Sequence, residues 1–136
     1  MRVCLFLLAI GAVVPAATLP ATTTLKGKLA VHANGPATVE TADQHTVTLS
    51  ADTTITKVLA DDRLNGFEVE ARGHFVGPDK FQIDASHTIP FLVKKDGHLK
   101  MVTYWCDVCS IRDYTPGPCR CCQRETALDL RDPDSK

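Results

Sequence analysis

Five cysteines lie within the seventeen residues from Cys106 to Cys122. Four of them form two pairs, Cys106–Cys109 and Cys119–Cys122, each with a two-residue gap. Such a gap lets a tight turn direct both sulfurs at one ion, and backbone N–H groups in the turn can stabilise the thiolates. Two facing turns supply four thiolates at tetrahedral corners, the arrangement of a structural zinc site. We predict that these four cysteines bind a metal ion, and we prefer Zn²⁺ to iron.

The chemistry of the cluster leaves alternatives open. Cys121 could replace Cys119 or Cys122 as a ligand, stay an exposed free thiol, or pack as a small apolar residue. Four cysteines also bind iron or hold a cluster, although the Gly and aromatic residues typical of rubredoxin-like turns are absent. A thiol–disulfide protein using Cys106 and Cys109 is a further alternative. It ranks lower because the pair follows a hairpin rather than a strand that leads into a helix.

The first residues have the three parts of a secretory signal peptide. Met1–Arg2 is a positive start, residues 3–14 are mainly apolar, and Val14-Pro15-Ala16 fits a cleavage site. This apolar run is shorter than the about 20 residues that span a bilayer, which favours a cleaved signal peptide over a membrane anchor. No later segment is apolar enough to span a bilayer, so no stable membrane span is expected after cleavage. Loss of Cys4 would leave five cysteines, which cannot all pair within one chain. We predict export to the periplasm or the extracellular space.

The middle of the chain alternates apolar and polar residues in short stretches, a pattern typical of half-buried strands. Strands are predicted at residues 25–31, 37–41, 45–49, 67–75 and 81–85. A short helix, capped by Asp52 or Thr53, separates the third strand from the fourth. This order resembles an OB-fold, a five-stranded Greek-key barrel with a helix at that position. Gly27 and Gly73 would be the bends that close the barrel.

A hairpin is predicted between the barrel and the cysteines, because Asp96-Gly97 separates two alternating runs. The fold class is therefore all-β: a small OB-like five-stranded barrel followed by a β-hairpin and a four-cysteine zinc ribbon. The predicted division is a signal peptide at 1–16, a linker at 17–24, the barrel with its hairpin at 25–103, the cysteine-rich ribbon at 104–130 and a flexible tail at 131–136.

The cysteine region resembles small bacterial zinc ribbons. It reads Tyr104-x-Cys106-x2-Cys109-x-Ile111, then Pro116-Gly117-x-Cys119-x2-Cys122 and Leu128. It is particularly similar to the heavy-metal-binding segment attached to some metal-efflux proteins. That segment usually has His at the position of Cys109 and Gly at the position of Gln123, and the all-cysteine set favours a closed structural site. The mature chain also resembles small, uncharacterised exported bacterial proteins, so the resemblance implies metal binding and no further activity.

The acidic residues and histidines show no catalytic constellation. Asp61, Asp62, Asp107 and Asp113 are interpreted as solvated or turn residues. The histidines are scattered over strand positions and are predicted at the surface or the barrel mouth: His32, His45, His74, His87 and His98. His74 and His87 could approach each other across adjacent strands, but a second metal site there is not expected. The chain has no phosphate loop, nucleophile elbow or zinc-protease motif, so we predict that it is not an enzyme.

The near balance of basic and acidic residues argues against nucleic acid as a partner. With 15 basic and 16 acidic residues the chain has a net charge of −1 and lacks the basic excess of a nucleic-acid-binding domain. We predict an exported, non-enzymatic zinc protein that interacts with a protein of the cell envelope, and no nucleic acid is expected. Binding of an oligosaccharide or oligonucleotide by the barrel remains an alternative, since OB-folds often bind such ligands.

Overall fold

The computed structural model describes residues 15–16, 18, 21–85 and 89–135. The predicted signal peptide, apart from Pro15 and Ala16, lies outside the described residues. The predicted contact of His74 with His87 also lies outside them. Within the described residues, no helix has both the length and the apolar character needed to cross a membrane.

Nine strands and one short α-helix make up the described part of the chain. The strands are β1 (Thr23–Ala30), β2 (Thr38–Glu40), β3 (Thr46–Ser50), β4 (Glu68–Gly77), β5 (Lys80–Ile83), β6 (Phe91–Lys95), β7 (His98–Cys106), β8 (Ile111–Asp113) and β9 (Ala127–Arg131). The helix α1 (Thr53–Leu59) lies between β3 and β4 and is followed by a 3₁₀ turn at Asp62–Leu64.

The first five strands close into a barrel. Strand β1 pairs with β2, β2 with β3, and β3 runs parallel to β5. Strand β5 then pairs with β4, which returns to β1 and completes the ring. This is the strand order of an OB-fold, with α1 in the position that the sequence predicts. The prediction of an all-β fold built on a five-stranded barrel is confirmed.

Period-2 alternation decides which side chains fill the barrel. In β3, for example, Val47 and Leu49 are buried while the residues between and beside them are more exposed. The same alternation in the other strands buries Leu25, Leu29, Val39, Val69, Ala71, Phe81 and Ile83 in one core. Helix α1 covers one end of this core with Val58 and Leu59. Its amino end is capped by Asp52, whose Oδ1 accepts the Ile55 N–H at 2.8 Å.

Gly73 lies where β4 changes neighbours. Residues 68–71 of β4 pair with β6, whereas the pairing with β5 begins at Gly73. A Cβ atom built at Gly73 would be 1.9 Å from the carbonyl oxygen of Gln82, so no other residue fits the backbone there. At Gly27 in β1 the corresponding distance to the Glu40 carbonyl oxygen is 2.3 Å. Both glycines therefore permit close strand approach, whereas the bends predicted at these positions stay a prediction.

The sheet extends from the barrel to the cysteines through one long strand. Strand β6 pairs with β4, and β7 pairs with β6 from His98 to Met101. The same strand then continues to Cys106, pairing with β9 and, over its last three residues, with β8. Residues 104–131, which we call the cysteine module, are thus continuous with the barrel sheet. Arg131, the first residue of the predicted tail, is the last residue of β9.

Candidate metal centre

The four predicted ligands converge on one point. Cys106 is the last residue of β7, and Cys109 lies in the turn that leads into β8. Cys119 and Cys122 lie in a second turn, within the loop before β9. All four Sγ atoms lie within 4.8 Å of one another, and those of Cys106 and Cys122 are 3.5 Å apart. We call these four residues the four-cysteine cluster.

The two turns of the cluster are built alike. The backbone N–H groups of Cys109 and Val108, three and two positions after Cys106, lower the pKa of the Cys106 thiol. The Cys121 N–H donates a hydrogen bond to the Cys119 sulfur at 3.4 Å, and the backbone N–H groups at the equivalent positions, Cys122 and Cys121, lower the pKa of the Cys119 thiol. In each turn the first cysteine thus receives N–H groups that stabilise a thiolate.

The ionisation of the cluster is uneven. Backbone hydrogen bonds from Cys122 and Cys121 lower the pKa of Cys119 to about 7. For Cys106 the N–H groups also favour the thiolate, but burial and the neighbouring thiols outweigh them and raise its pKa. Hydrogen bonds with the thiols of Cys121 and Cys122 raise the pKa of Cys109. Four crowded sulfurs cannot all carry charge without a cation, so binding a metal ion would release the remaining protons.

Burial gives the cluster a closed side and an open side. Cys106 and Cys119 are buried, whereas Cys109 and Cys122 are half-buried. Cys121 is exposed and is not one of the four residues whose sulfurs converge, so its role as a free thiol or an alternative ligand stays a prediction. All five cysteines from 106 to 122 are free of disulfides.

The loop that carries the second cysteine pair is held by backbone hydrogen bonds. The Cys119 N–H donates to the Arg124 carbonyl at 2.7 Å, and the Gln123 N–H donates to the Cys119 carbonyl at 2.9 Å. An isolated bridge joins Pro118 to Glu125. These contacts fold the loop back on itself and fix the direction in which Cys119 and Cys122 face β7.

The donor set fits a soft or borderline divalent cation. Sulfurs at the corners of a tetrahedron with metal–sulfur bonds of about 2.3 Å are separated by about 3.8 Å. The Cys106 and Cys122 sulfurs, 3.5 Å apart, are close to this separation, and no two sulfurs of the cluster are more than 4.8 Å apart. The 3.5 Å distance far exceeds the sulfur–sulfur bond of about 2.05 Å in a disulfide. Four thiolates without oxygen ligands suit zinc or iron and not magnesium or calcium. The four cysteines can therefore hold a metal ion.

Several other predicted residues have ordinary structural partners. His74 Nδ1 is 2.9 Å from Asp84 Oδ1, and His45 Nε2 is 2.8 Å from Asp79 Oδ1. Among the described residues no histidine joins a group with metal-binding geometry. Asp113 is 3.8 Å from Arg120 in a partly exposed ion pair.

Sequence reasoning missed one buried polar group, centred on Asp61. This residue does lie in a turn, as predicted, but it is only 7% exposed rather than solvated. Burial opposes its ionisation, yet hydrogen bonds from Arg63 and Tyr104 outweigh burial and hold its pKa below the usual value. Burial and the carboxylate of Asp61 raise the pKa of Tyr104. The available signal was the spacing of Val58, Leu59 and Leu64, buried apolar residues that flank the pair Asp61-Asp62 on both sides.

Fold and site together define a β-barrel protein of OB topology with an appended four-cysteine cluster that can hold a metal ion. Comparison of the chain with protein-family models, with curated proteins and with solved structures gives no match. The class therefore follows from the barrel topology and the cluster geometry alone.

Proposed function

We propose that this protein is an exported, non-enzymatic zinc protein in which Zn²⁺ on the four-cysteine cluster stabilises an interaction module of the cell envelope. The observation that carries the proposal is the convergence of four sulfurs from two separate turns within 4.8 Å. Export is supported by the signal-peptide pattern of the first sixteen residues. The interaction role is supported by two exposed large apolar side chains on the cysteine module, Val108 and Tyr114.

Zinc is favoured over iron and over disulfides for physical reasons. The module has few buried apolar side chains of its own, and a small segment of this kind usually needs a metal or disulfides to hold its shape. Sulfurs as close as those of the cluster leave room for a single ion. Zinc coordination occupies the lone pairs of the thiolates, and the ion itself has no redox chemistry, so a zinc-loaded cluster would protect its thiolates in an oxidising compartment.

A nucleic-acid partner is not proposed, because the lysines on the outer face of the barrel are balanced by acids. Lys26 Nζ is 2.8 Å from Glu70, and Lys94 Nζ is 3.2 Å from Glu68. Across β2, β1, β4 and β6 the register alternates acid and base. Such a face offers no continuous positive surface to a phosphate backbone.

The test is metal content with a free-thiol count on purified protein. We expect one equivalent of zinc, one thiol (the exposed Cys121) that reacts in the native protein, and four further thiols that react only after denaturation and chelation. Less than half an equivalent of zinc, with the thiols reduced, would reject the proposal. Two disulfides with one remaining thiol would instead favour the thiol–disulfide alternative, and visible sulfur-to-iron absorption would identify iron.

Two matched cysteine substitutions separate the cluster from its neighbour. Cys106→Ser removes a buried cluster sulfur and should abolish stoichiometric zinc binding. Cys121→Ser removes an exposed sulfur outside the cluster and should keep one equivalent. Equal zinc content in the two variants would contradict the assigned ligand set.

A further inference from the structure

A buried carboxylate of the barrel lies beneath the cysteine module. Asp61 accepts hydrogen bonds from Arg63 Nε at 2.9 Å and from Arg63 Nη2 at 2.9 Å. It also accepts a hydrogen bond from the Tyr104 hydroxyl at 2.9 Å. Arg63 belongs to the 3₁₀ turn after α1, whereas Tyr104 belongs to β7, so this contact joins elements about forty residues apart.

Tyr104 connects this carboxylate to the first cysteine pair. Its side chain is fully buried, and the Arg63 guanidinium stacks over its ring at 5.3 Å. Tyr104 lies two residues before Cys106 on the same strand. A strand is stiff over two residues, so fixing the position of Tyr104 also fixes the position of Cys106 and the direction of its side chain.

Arg63 connects the same carboxylate to the second cysteine pair. Its Nη1 donates to the Thr126 carbonyl at 3.1 Å. The Thr126 hydroxyl and N–H in turn both donate to the Gly117 carbonyl, at 2.8 and 3.3 Å. Gly117 lies two residues before Cys119, so Arg63 holds the loop at the point where it enters the second turn.

We propose that Asp61 and Arg63 are positioning residues for the metal centre, through which the barrel sets the relative placement of the two cysteine pairs. This inference rests on the proposed zinc function. Groups that hydrogen-bond metal ligands directly change metal affinity by about 10- to 100-fold when altered. Asp61 and Arg63 act one contact further out, through Tyr104 and Thr126, so we expect an effect at the lower end of this range. Because Asp61 and Arg63 belong to the barrel, the metal affinity of the cluster depends on a folded barrel.

Thermodynamic linkage makes the effect reciprocal. If a folded barrel strengthens metal binding, bound metal must stabilise the barrel by the same factor. Loss of metal would free the loop at Gly117 and the end of β7, and would leave Asp61 and Arg63 with fewer partners. The barrel and the cysteine module would then behave as one cooperative unit only when the cluster is loaded.

The affinity test compares two identical substitutions. Arg63→Lys keeps the charge but loses the planar fork that reaches both Asp61 and Thr126. Arg112→Lys is the matched control, because Arg112 donates to Thr103 and Asp129, which do not belong to the barrel. We measure zinc affinity by competition with a chromophoric chelator, and the absorption bands of the Co²⁺-loaded protein. Arg63→Lys should weaken zinc binding at least tenfold and shift the Co²⁺ bands, whereas Arg112→Lys should change affinity less than threefold.

The outcomes separate this inference from the proposed function. Suppose that the wild-type protein binds zinc tightly and that a folded Arg63→Lys variant has the same zinc affinity and the same Co²⁺ spectrum. This result would overturn the positioning role and leave the zinc function intact. Failure of the wild-type protein to bind zinc or Co²⁺ would overturn both. Should Arg63→Lys fail to fold, Tyr104→Phe deletes only the hydroxyl that donates to Asp61, and it should weaken zinc binding by severalfold.

Hydrogen exchange tests whether bound zinc stabilises the barrel. In the full-length protein, removal of zinc with a chelator should speed exchange of amides in β1 and β4 of the barrel as well as those of the cysteine module. In Arg63→Lys the barrel amides should exchange at nearly the same rate with and without zinc. If the exchange rates of the barrel amides in the wild-type protein do not change when zinc is removed, the linkage is contradicted.

Discussion

Ser110 and Gln123 occupy equivalent positions in the two cysteine turns, and both have left-handed backbone conformations, with φ of 53° and 62°. Each directly follows the second cysteine of its pair. A left-handed residue at this point ends the turn and redirects the chain directly after the second cysteine. Glycine adopts this conformation without steric cost, whereas a residue with a Cβ is strained by about 1 kcal/mol or more.

Gln123→Gly should therefore stabilise the zinc-loaded protein, by about 0.5 to 1 kcal/mol after the larger chain entropy of glycine is subtracted. Urea unfolding of the loaded protein measures the change. The contrasting variant is Lys57→Gly, an exposed position inside α1, which should lose about 1 kcal/mol. Destabilisation by Gln123→Gly would show that the Gln123 side chain makes a contribution larger than the relief of strain.

Gly73→Ala tests the closure of the barrel. The new methyl carbon would be 1.9 Å from the Gln82 carbonyl oxygen, and backbone cannot move aside as a side chain can. We expect a loss of about 3 kcal/mol or more, because β5 would have to separate from β4. Thermal unfolding followed by circular dichroism measures this loss. Gly35→Ala is the control: a methyl group at that position would meet nothing within 4 Å, so its effect should stay within about 0.5 kcal/mol.

The structure decides which of two residues caps helix α1, a choice that the sequence leaves open. Asp52 caps α1 through its side chain, while Thr53 is the first helical residue. Asp52→Ala should cost about 1 kcal/mol because the Ile55 N–H loses its partner, whereas Thr53→Ala should be nearly neutral. Chemical denaturation of both variants provides the comparison, and a larger loss in Thr53→Ala would show that the cap belongs to Thr53 instead.

The barrel and the cluster were predictable because their signals are local. Alternation over five residues marks β3, and a two-residue gap between cysteines marks each turn. The group formed by Asp61, Arg63 and Tyr104 was not predictable in this way. Its burial depends on how the turn after α1 packs against β7, about forty residues later, and no local pattern encodes that separation. The pairing of β9 with β7 could not be predicted from the sequence for the same reason.

The buried phenol of Tyr104 gives the protein an alkaline pH dependence. Its pKa is raised in the folded state by burial and by Asp61, so folding favours the neutral phenol. The resulting stability is fully present below the unfolded pKa of about 10 and is lost as pH rises above it, because only the unfolded chain then ionises this group. The free energy of unfolding should fall between pH 10 and 11, and Tyr104→Phe should flatten this fall.

The chain has only one other tyrosine, which makes the test specific. In Tyr114→Phe, which removes an exposed phenol, the remaining phenol absorbance belongs to Tyr104. That absorbance at 295 nm should change only when the protein unfolds at high pH, in step with the loss of circular dichroism. A phenolate signal that develops near pH 10 while the protein is still folded would mean that Tyr104 reaches solvent, and its bond to Asp61 would then not hold β7 in place.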